Sequence, residues 1–190
     1  MNCIAVNTTD SSLSVALIKG DEIFCDSKNI GKSGHSSALM PAVDGILAEH
    51  SVDVGELDAV GVVVGPGSFT GIRIGVSAIT AVAFATGAKR VAITAFELIA
   101  YNRESVLAGV DAGHGNLYVA TCKNGKVEDM RFVEAKDADT LKGVVFEPLQ
   151  DSAKTLALVL RDKVERGEFV DVFVPFYMRK SQAEREKDEV

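Results

Sequence analysis

The segment at residues 72–86 constrains the fold of this chain more than any other, because a helix there is apolar around nearly its whole circumference. Its polar side chains, Arg73, Ser77 and Thr80, form only a thin stripe at positions i, i+4 and i+7. A helix that is apolar on all sides must be covered on several of them. One side can face a sheet, so the remainder must face another helix of the chain or a second protein. Three small residues would allow another backbone to approach this helix closely: Gly71, Gly75 and Ala78.

Strands and helices alternate around this segment. An almost wholly apolar strand at 59–64 precedes it, and a strand at 91–93 and a short helix at 95–102 follow it. This alternation implies a parallel α/β sheet. Upstream, the pattern predicts strands of an antiparallel meander at 3–6, 13–18 and 22–28, and a helix at 35–50. Pro41 lies inside that helical stripe, so we expect the helix to begin near Met40 or to be kinked in its first turns.

After residue 103 the pattern starts again. The second half predicts strands at 106–111, 117–122, 127–133 and 143–146, an Asn-Gly hairpin turn at 124–125, and a helix capped by Asp151 or Ser152. Residues 6–19 align without gaps on residues 110–123, and five of the fourteen positions are identical. About one match would be expected by chance. The alternative is that two unrelated hairpins share common strand residues.

A duplicated strand–turn–strand unit that leads each time into α/β structure describes the fold of actin, Hsp70 and the sugar kinases. In that fold the two turns face each other across a cleft and bind nucleotide phosphates through backbone N–H groups. The corresponding turns here are a candidate vestigial phosphate loop made of Asn7, Thr8, Thr9, Asp111 and Gly113. Asp111 has the alternative role of capping its own turn.

A glycine-rich segment, GPGSFTGIRIG at 65–75, leads from the apolar strand into the apolar helix. The free N–H groups at a helix N-terminus suit an anion. The segment lacks the Gly-Lys-Ser/Thr of a Walker loop, and Thr70 stands where a dinucleotide fingerprint has Gly or Ala. Phosphate binding and a tight turn that needs small residues therefore both remain open. Ser68 and Thr70 have no evident base in the sequence, which argues against a peptidase.

The charge, cysteine and histidine content disfavours several functions. The 27 acidic against 20 basic residues give a net charge of −7, which opposes strong autonomous binding of nucleic acid, although a local basic patch is compatible with it. Three cysteines without a CxxC spacing predict buried thiols in a reducing cytosol, and neither a disulfide framework nor a zinc ribbon. His35, His50 and His114 stand alone in the sequence, so no metal site is expected.

Membrane association is not expected either. The polar stripe of the 72–86 helix interrupts the longest apolar stretch, so no clean run spans a bilayer. The N-terminal MNCIAVNTT lacks the basic lead of a signal peptide. Both features predict a cytoplasmic protein.

Three motifs together resemble those of a known family: HSSALMP at 35–41, GPGSFTGIRIG at 65–75 and the ending PFYMRKSQAEREK at 175–187. They resemble the TsaB (YeaZ) family, the small accessory proteins of bacterial threonylcarbamoyladenosine (t6A) synthesis on tRNA, over nearly the whole chain. The resemblance implies an actin/Hsp70-like (ASKHA) α/β fold, a duplicated ribonuclease-H-like unit with a reduced second domain. We therefore expect an N-terminal domain at 1–102, a smaller domain at 103–178 and a charged tail at 179–190.

The resemblance also implies that the protein is not an enzyme. It would be a scaffold that activates the larger paralogue TsaD, which modifies position 37 of ANN-decoding tRNAs, with the ATPase TsaE as a further partner. Neither a cofactor nor a direct contact with tRNA outside the complex is implied. The helices at 35–50 and 72–86 would bind the partner, and the same surface can form homodimers. The interface residues then expected are Leu39, Val43, Ile46, Leu47, Gly71, Arg73, Ile74, Gly75, Ala78, Ile79 and Val82.

One departure from the family pattern lies in the first turn. The family usually has Asp-Thr-Ser where this chain has Asn7-Thr8-Thr9, and an amide binds divalent ions more weakly than a carboxylate does. This lowers the expectation of nucleotide chemistry. Two alternatives stay open: an ATP-dependent phosphotransferase or ATPase of the same fold and, less favoured, a metallopeptidase. Arg73 is expected to be solvated, or to pair with a partner or with an acid of the first helix such as Asp44 or Glu49.

Overall fold

The computed structural model describes residues 1–31 and 34–179 and contains two sheets. The strands are β1 (Asn2–Asn7), β2 (Ser12–Lys19), β3 (Glu22–Asn29), β4 (Ala59–Gly65), β5 (Lys89–Thr94), β6 (Ser105–Gly113), β7 (Asn116–Lys123), β8 (Lys126–Val133) and β9 (Val144–Val145). The helices are α1 (His35–Glu49), α2 (Phe69–Thr86), α3 (Ala95–Ala100), α4 (Ala135–Ala138) and α5 (Ser152–Glu165). All predicted strands and the longer helices are present, whereas the short α4 was not predicted.

The two sheets repeat one topology. The first has the order β3-β2-β1-β4-β5, and the second has the order β8-β7-β6-β9. In each sheet the first strand pairs antiparallel with the second and parallel with the fourth, and the second pairs antiparallel with the third. The second sheet therefore repeats the first without its last strand. This confirms the predicted duplication and the actin/Hsp70-like α/β fold with a reduced second half.

The three central strands of the first sheet, β1, β2 and β4, are buried on both faces, which explains why they are largely apolar. In β1, Ile4 and Val6 belong to the core beneath α1 and α2, whereas Cys3 and Ala5 belong to the core that includes α3 and α5. Helix α5 lies in the part of the chain predicted as the second domain, yet it packs on β1, β2 and β3 of the first sheet. The predicted division at residue 102 stays a prediction.

Two helix starts need comment. Helix α1 begins at His35, as the stripe at 35–50 predicts, and continues through Pro41, so of the two alternatives the start near Met40 is wrong. Helix α2 begins at Phe69, three residues before the apolar run, because the Ser68 hydroxyl accepts a hydrogen bond from the Gly71 N–H and caps the helix.

The first turn of α2 lies unusually close to the end of β1. A methyl group on Gly71 would overlap the Thr8 carbonyl oxygen, and one on Gly75 would overlap the Thr8 hydroxyl oxygen. That hydroxyl also donates to the Gly71 carbonyl oxygen at 2.8 Å. The two glycines thus allow another backbone segment to approach closely, as predicted, and that segment belongs to their own chain.

We predict that Gly71→Ala destabilises the protein by about 1–3 kcal/mol, since the added methyl group has no space against rigid backbone. Gly45→Ala is the matched control, because it lies in α1 with nothing within 4 Å of an added methyl group. Removing a glycine from a helix interior should raise stability there by about 0.5–1 kcal/mol. Urea denaturation of both variants measures the difference, and equal stabilities would contradict the packing of α2 on Thr8.

We predict that alkylation distinguishes the three cysteines. Cys3 and Cys122 are buried, whereas Cys25 is exposed on β3, an edge strand of the first sheet. Burial, reinforced by Asp58, raises the pKa of the Cys3 thiol to about 11, so little reactive thiolate exists there at pH 8. Iodoacetamide at pH 8 should modify Cys25 alone in the native protein and all three thiols in urea. Mass spectrometry reads the sites, and native labelling of Cys3 at the rate of Cys25 would contradict the fold.

Candidate partner face and interlobe cleft

Helix α2 buries one side and exposes the other. Its inner side, which includes Ile72, Val76 and Ile79, packs in the core of the first sheet. On the outer side Phe84 is 85% exposed, beside exposed Ala81 and Ala85. The chain therefore does not cover the whole apolar circumference of α2. We call the outer side, consisting of Arg73, Ile74, Ser77, Ala78, Ala81, Phe84 and Ala85, the α2 face.

The structure sorts the eleven predicted interface residues into two groups. Eight of them are buried in the protein's own core, namely Leu39, Val43, Ile46, Leu47, Gly71, Gly75, Ile79 and Val82. Their side chains are not available to a partner, so their assignment as contact residues is corrected. Arg73 is exposed, and Ile74 and Ala78 are half-buried. These three remain candidates.

Phe84 was missed as a candidate, although the sequence contained a signal for it. The stripe formed by Arg73, Ser77 and Thr80 marks the side of the helix that faces away from the core. Phe84 is the next position of that stripe, eleven residues after Arg73. An aromatic residue that continues a polar stripe therefore indicates exposed apolar surface.

By length and composition, α2 is also apolar enough to cross a membrane, with a mean hydropathy of 1.5 over 18 residues. This measure counts length and composition only, and a helix in a protein core passes it too, so the expectation that no clean run spans a bilayer is not contradicted. In the structure 39% of that stretch is buried inside the protein. The inner side of α2 is a core helix of this fold.

Arg73 is held by two aromatic rings at one edge of the α2 face. Its guanidinium carbon lies 4.0 Å from the centre of the Phe69 ring, and its Nε donates to the Tyr177 hydroxyl at 3.1 Å. Those two rings stack on each other with centres 4.5 Å apart. Arg73 is exposed, as its first alternative predicted, and none of the ion pairs of the described residues involves it, so the alternative of a pair with Asp44 or Glu49 is wrong.

The two turns of the duplicated unit have the same internal hydrogen bond. In the first, the Asn7 Oδ1 accepts from the Thr9 N–H at 3.0 Å and from the Thr9 hydroxyl at 2.7 Å. In the second, the Asp111 Oδ1 accepts from the Gly113 N–H at 2.7 Å. Each side chain thus caps its own turn, as the alternative for Asp111 proposed. The N–H groups of Thr9 and Gly113 are already engaged within the protein.

A cavity of about 500 Å³ lies between these two turns. Its lining combines turn residues of both halves with the glycine-rich segment and the C-terminal segment: Thr9, Asp10, Asp111, Gly113, Ser68, Phe69, Phe176 and Tyr177. The Phe176 N–H donates to the Val64 carbonyl oxygen at 2.8 Å, which fixes the C-terminal segment across the end of β4. Of the residues predicted as a vestigial phosphate loop, Thr9, Asp111 and Gly113 line this cleft, whereas Thr8 is buried against the first turns of α2 and Asn7 is not part of the lining.

Metal and nucleophile candidates are not assembled in the described part of the chain. No group of three or more metal-ligating side chains occurs among residues 1–31 and 34–179. The Ser68 hydroxyl is engaged as the N-cap of α2. Most of the predicted charged tail at 179–190 lies outside the described residues, but the Arg179 guanidinium stacks 4.3 Å above the Phe132 ring of β8.

Known proteins resemble this chain in sequence and in structure. A family model described as TsaD, tRNA N6-adenosine threonylcarbamoyltransferase, matches residues 29–144, which is more than half of the chain. The tRNA threonylcarbamoyladenosine biosynthesis protein TsaB of Bacillus subtilis is 25% identical, over 97% of this chain and 96% of that protein. TsaB of Haemophilus influenzae is 29% identical, over 67% of this chain and 56% of that protein.

The chain belongs to this family, in its TsaB (YeaZ) group. Two solved structures from Pseudomonas aeruginosa share the fold. One, described as an uncharacterized protein with similarity to peptidase YEAZ, superposes with a TM-score of 0.80 at 22% identity, over 94% of this chain and 99% of that one. The other, YeaZ, has a TM-score of 0.72 at 23% identity, over 89% and 94% of the two chains. The TsaB fold predicted from the three motifs is confirmed.

We predict that Asn7→Asp destabilises this chain at pH 7 by about 1–3 kcal/mol. Asn7 is buried, and its Nδ2 donates to Asp10 Oδ2 at 3.4 Å, so the substitution places two carboxylates side by side. Their repulsion raises the pKa of the new carboxyl group in the folded state above its unfolded value. The loss of folding stability should therefore be complete at neutral pH and become smaller as the pH falls through that raised pKa.

Urea denaturation between pH 4 and 7 measures this effect. Adding Asp10→Asn to the Asn7→Asp variant is the control, because it removes the like charge and keeps the oxygen that accepts from the Ser12 N–H. Recovery of stability in the double variant is expected. A loss that does not depend on pH or on Asp10 would contradict the geometry of this turn.

Proposed function

We propose that this protein is a non-catalytic accessory subunit of tRNA threonylcarbamoyladenosine biosynthesis, which binds and activates a TsaD-type transferase. The observation that carries the proposal is the α2 face, where Phe84 is 85% exposed on a helix with a single charged residue. One relative along nearly the whole chain and another along 67% of it are named as biosynthesis proteins of this modification, and the matching family model is named for the transferase.

A TsaD-type protein is the partner that suits this face. The family model covers residues 29–144, which include α1 and α2, so a TsaD-type protein contains an equivalent pair of helices. Two proteins with the same exposed helix can pack these helices against each other around a pseudo-twofold axis. The same reasoning allows two copies of this chain to pair, so self-association competes with partner binding. The TsaE-type ATPase would join as a third component.

The proposal of a non-catalytic role rests on the two turns that border the cavity of about 500 Å³. Asn7 and Asp111 engage the N–H groups of their own turns, and Asn7 places no carboxylate where a metal–nucleotide complex would need one. A net charge of −7 agrees with contact to tRNA only through the complex, in the cytoplasm.

The runner-up is an ATP-dependent phosphotransferase, which the cavity of about 500 Å³ between the turns favours. Titration calorimetry with ATP and magnesium separates the two functions. Tight binding with turnover, both lost in Asp111→Ala, would support the phosphotransferase and contradict the accessory role.

We predict that Phe84→Asp weakens association with the TsaD-type subunit at least about tenfold, since it places a charge where an aromatic anchor would be buried. Met130→Asp is the matched control, because Met130 is 46% exposed on β8 of the second sheet, away from the α2 face. Titration calorimetry measures both affinities, and far-UV circular dichroism checks the fold. Equal binding by both variants, or no binding by the unaltered protein at micromolar concentration, would contradict the proposed function.

A further inference from the structure

Arg73 is the only charged residue of α2, and its position on the α2 face is fixed. Phe69 supports the guanidinium plane from one side at 4.0 Å, and the Tyr177 hydroxyl accepts from Nε at 3.1 Å. Tyr177 is itself anchored, because the neighbouring Phe176 N–H donates to the Val64 carbonyl oxygen. An exposed arginine normally samples many rotamers, so this side chain has lost freedom without any bound partner.

The two Nη groups of Arg73 have no acceptor among the described residues. Two other cations of the described residues are satisfied internally: Lys163 pairs with Glu97, and Arg103 donates to the carbonyl oxygens of Ile99 and Glu147. Only Nε of Arg73 is engaged, which leaves the fork of the guanidinium free. That fork is the part that matches a carboxylate with two parallel hydrogen bonds.

We infer that Arg73 is the polar anchor of the α2 face and binds a carboxylate of the TsaD-type subunit through its two Nη groups. This inference rests on the proposed function. The neighbouring part of the face is apolar, and its aromatic residue Phe84 lies on the same stripe. Protein–protein interfaces are enriched in arginine and in aromatic residues, and the α2 face combines the two. Because the side chain is already ordered, ordering it on binding costs little further entropy.

The charges near Arg73 favour a carboxylate of a protein over a phosphate of tRNA. Phosphate backbones are bound by clusters of cations, whereas α2 contains Arg73 alone and Arg179, which lines the cavity with Phe69 and Tyr177, is stacked on Phe132. The exposed residues of the adjacent α1 include the acids Asp44 and Glu49. A polyanion would be repelled there, while a single carboxylate within an apolar contact needs one cation only.

Titration calorimetry of the full chain against the TsaD-type subunit, at about 50 and 300 mM salt, tests the inference. Arg73→Gln should weaken binding about tenfold or more at low salt and reduce its salt dependence. Arg73→Lys keeps the charge but not the fork, so it should retain the salt dependence with an intermediate affinity. Tyr177→Phe removes the acceptor of Nε and should weaken binding less. Arg131→Gln removes a cation from exposed β8 of the second sheet, outside the α2 face, so it is the control and should bind as the unaltered protein does.

The outcomes are distinguishable. If the unaltered protein does not bind the TsaD-type subunit, the proposed function fails. If it binds, but Arg73→Gln binds with the same affinity and salt dependence, the anchor is overturned and the proposed function stands. The anchor is also overturned if Arg73→Gln loses affinity only to the extent that its melting temperature falls, and keeps the salt dependence of the unaltered protein. In that case Arg73 would only stabilise the position of Tyr177. Unchanged subunit affinity with weaker tRNA binding by the complex overturns it in favour of phosphate.

Discussion

The contact between Thr8 and the first two turns of α2 is the interaction on which the rest of this structure depends. The Thr8 carbonyl and hydroxyl oxygens occupy the space that side chains at Gly71 and Gly75 would fill. This contact sets the distance of α2 from β1 and its rotation about its own axis. With that rotation, Ile72, Val76 and Ile79 face the sheet, whereas Arg73 and Phe84 point outward. A helix seated without the glycines would stand further from the sheet and leave voids in the core, and such voids are costly in a close-packed interior.

The cleft and the α2 face are physically connected. Phe69 begins α2, lines the cavity between the two turns and supports the guanidinium of Arg73 on the face. Tyr177 does the same from the C-terminal segment, since it lines the cavity and accepts from Arg73. The position of Arg73 therefore depends on the side chains that border the cleft. The cleft lies between the two turns of the duplicated unit, and the first of these turns uses a neutral amide to satisfy its own backbone.

Much of the molecule was predictable from its sequence. Periodicity is a local property, so the order of apolar residues was enough to predict several elements. These are the strand at 59–64 that is buried on both faces, the antiparallel meander, and the second strand pattern that starts after residue 103. The strand orders of the two sheets agree with these predictions. The motifs at 65–75 and at the C-terminus indicated the TsaB family, which the relatives support. The expected interface was less accurate. Ile79 and Val82 were assigned outward because they are apolar on an apolar helix, and this pattern does not say which side meets the sheet.

The sequence by itself determined that the chain is duplicated, that α2 forms, and that its apolar surface exceeds what one sheet face covers, because these properties depend on residue types at short spacing. Only the tertiary structure decided which part of that surface stays uncovered, because the rotation of α2 follows from its contact with Thr8, more than sixty residues earlier. The residues that surround Arg73 likewise could not be predicted from the sequence near it. Its hydrogen-bond acceptor, Tyr177, comes from the far end of the chain, and such a contact exists only once both segments have packed on the same sheet.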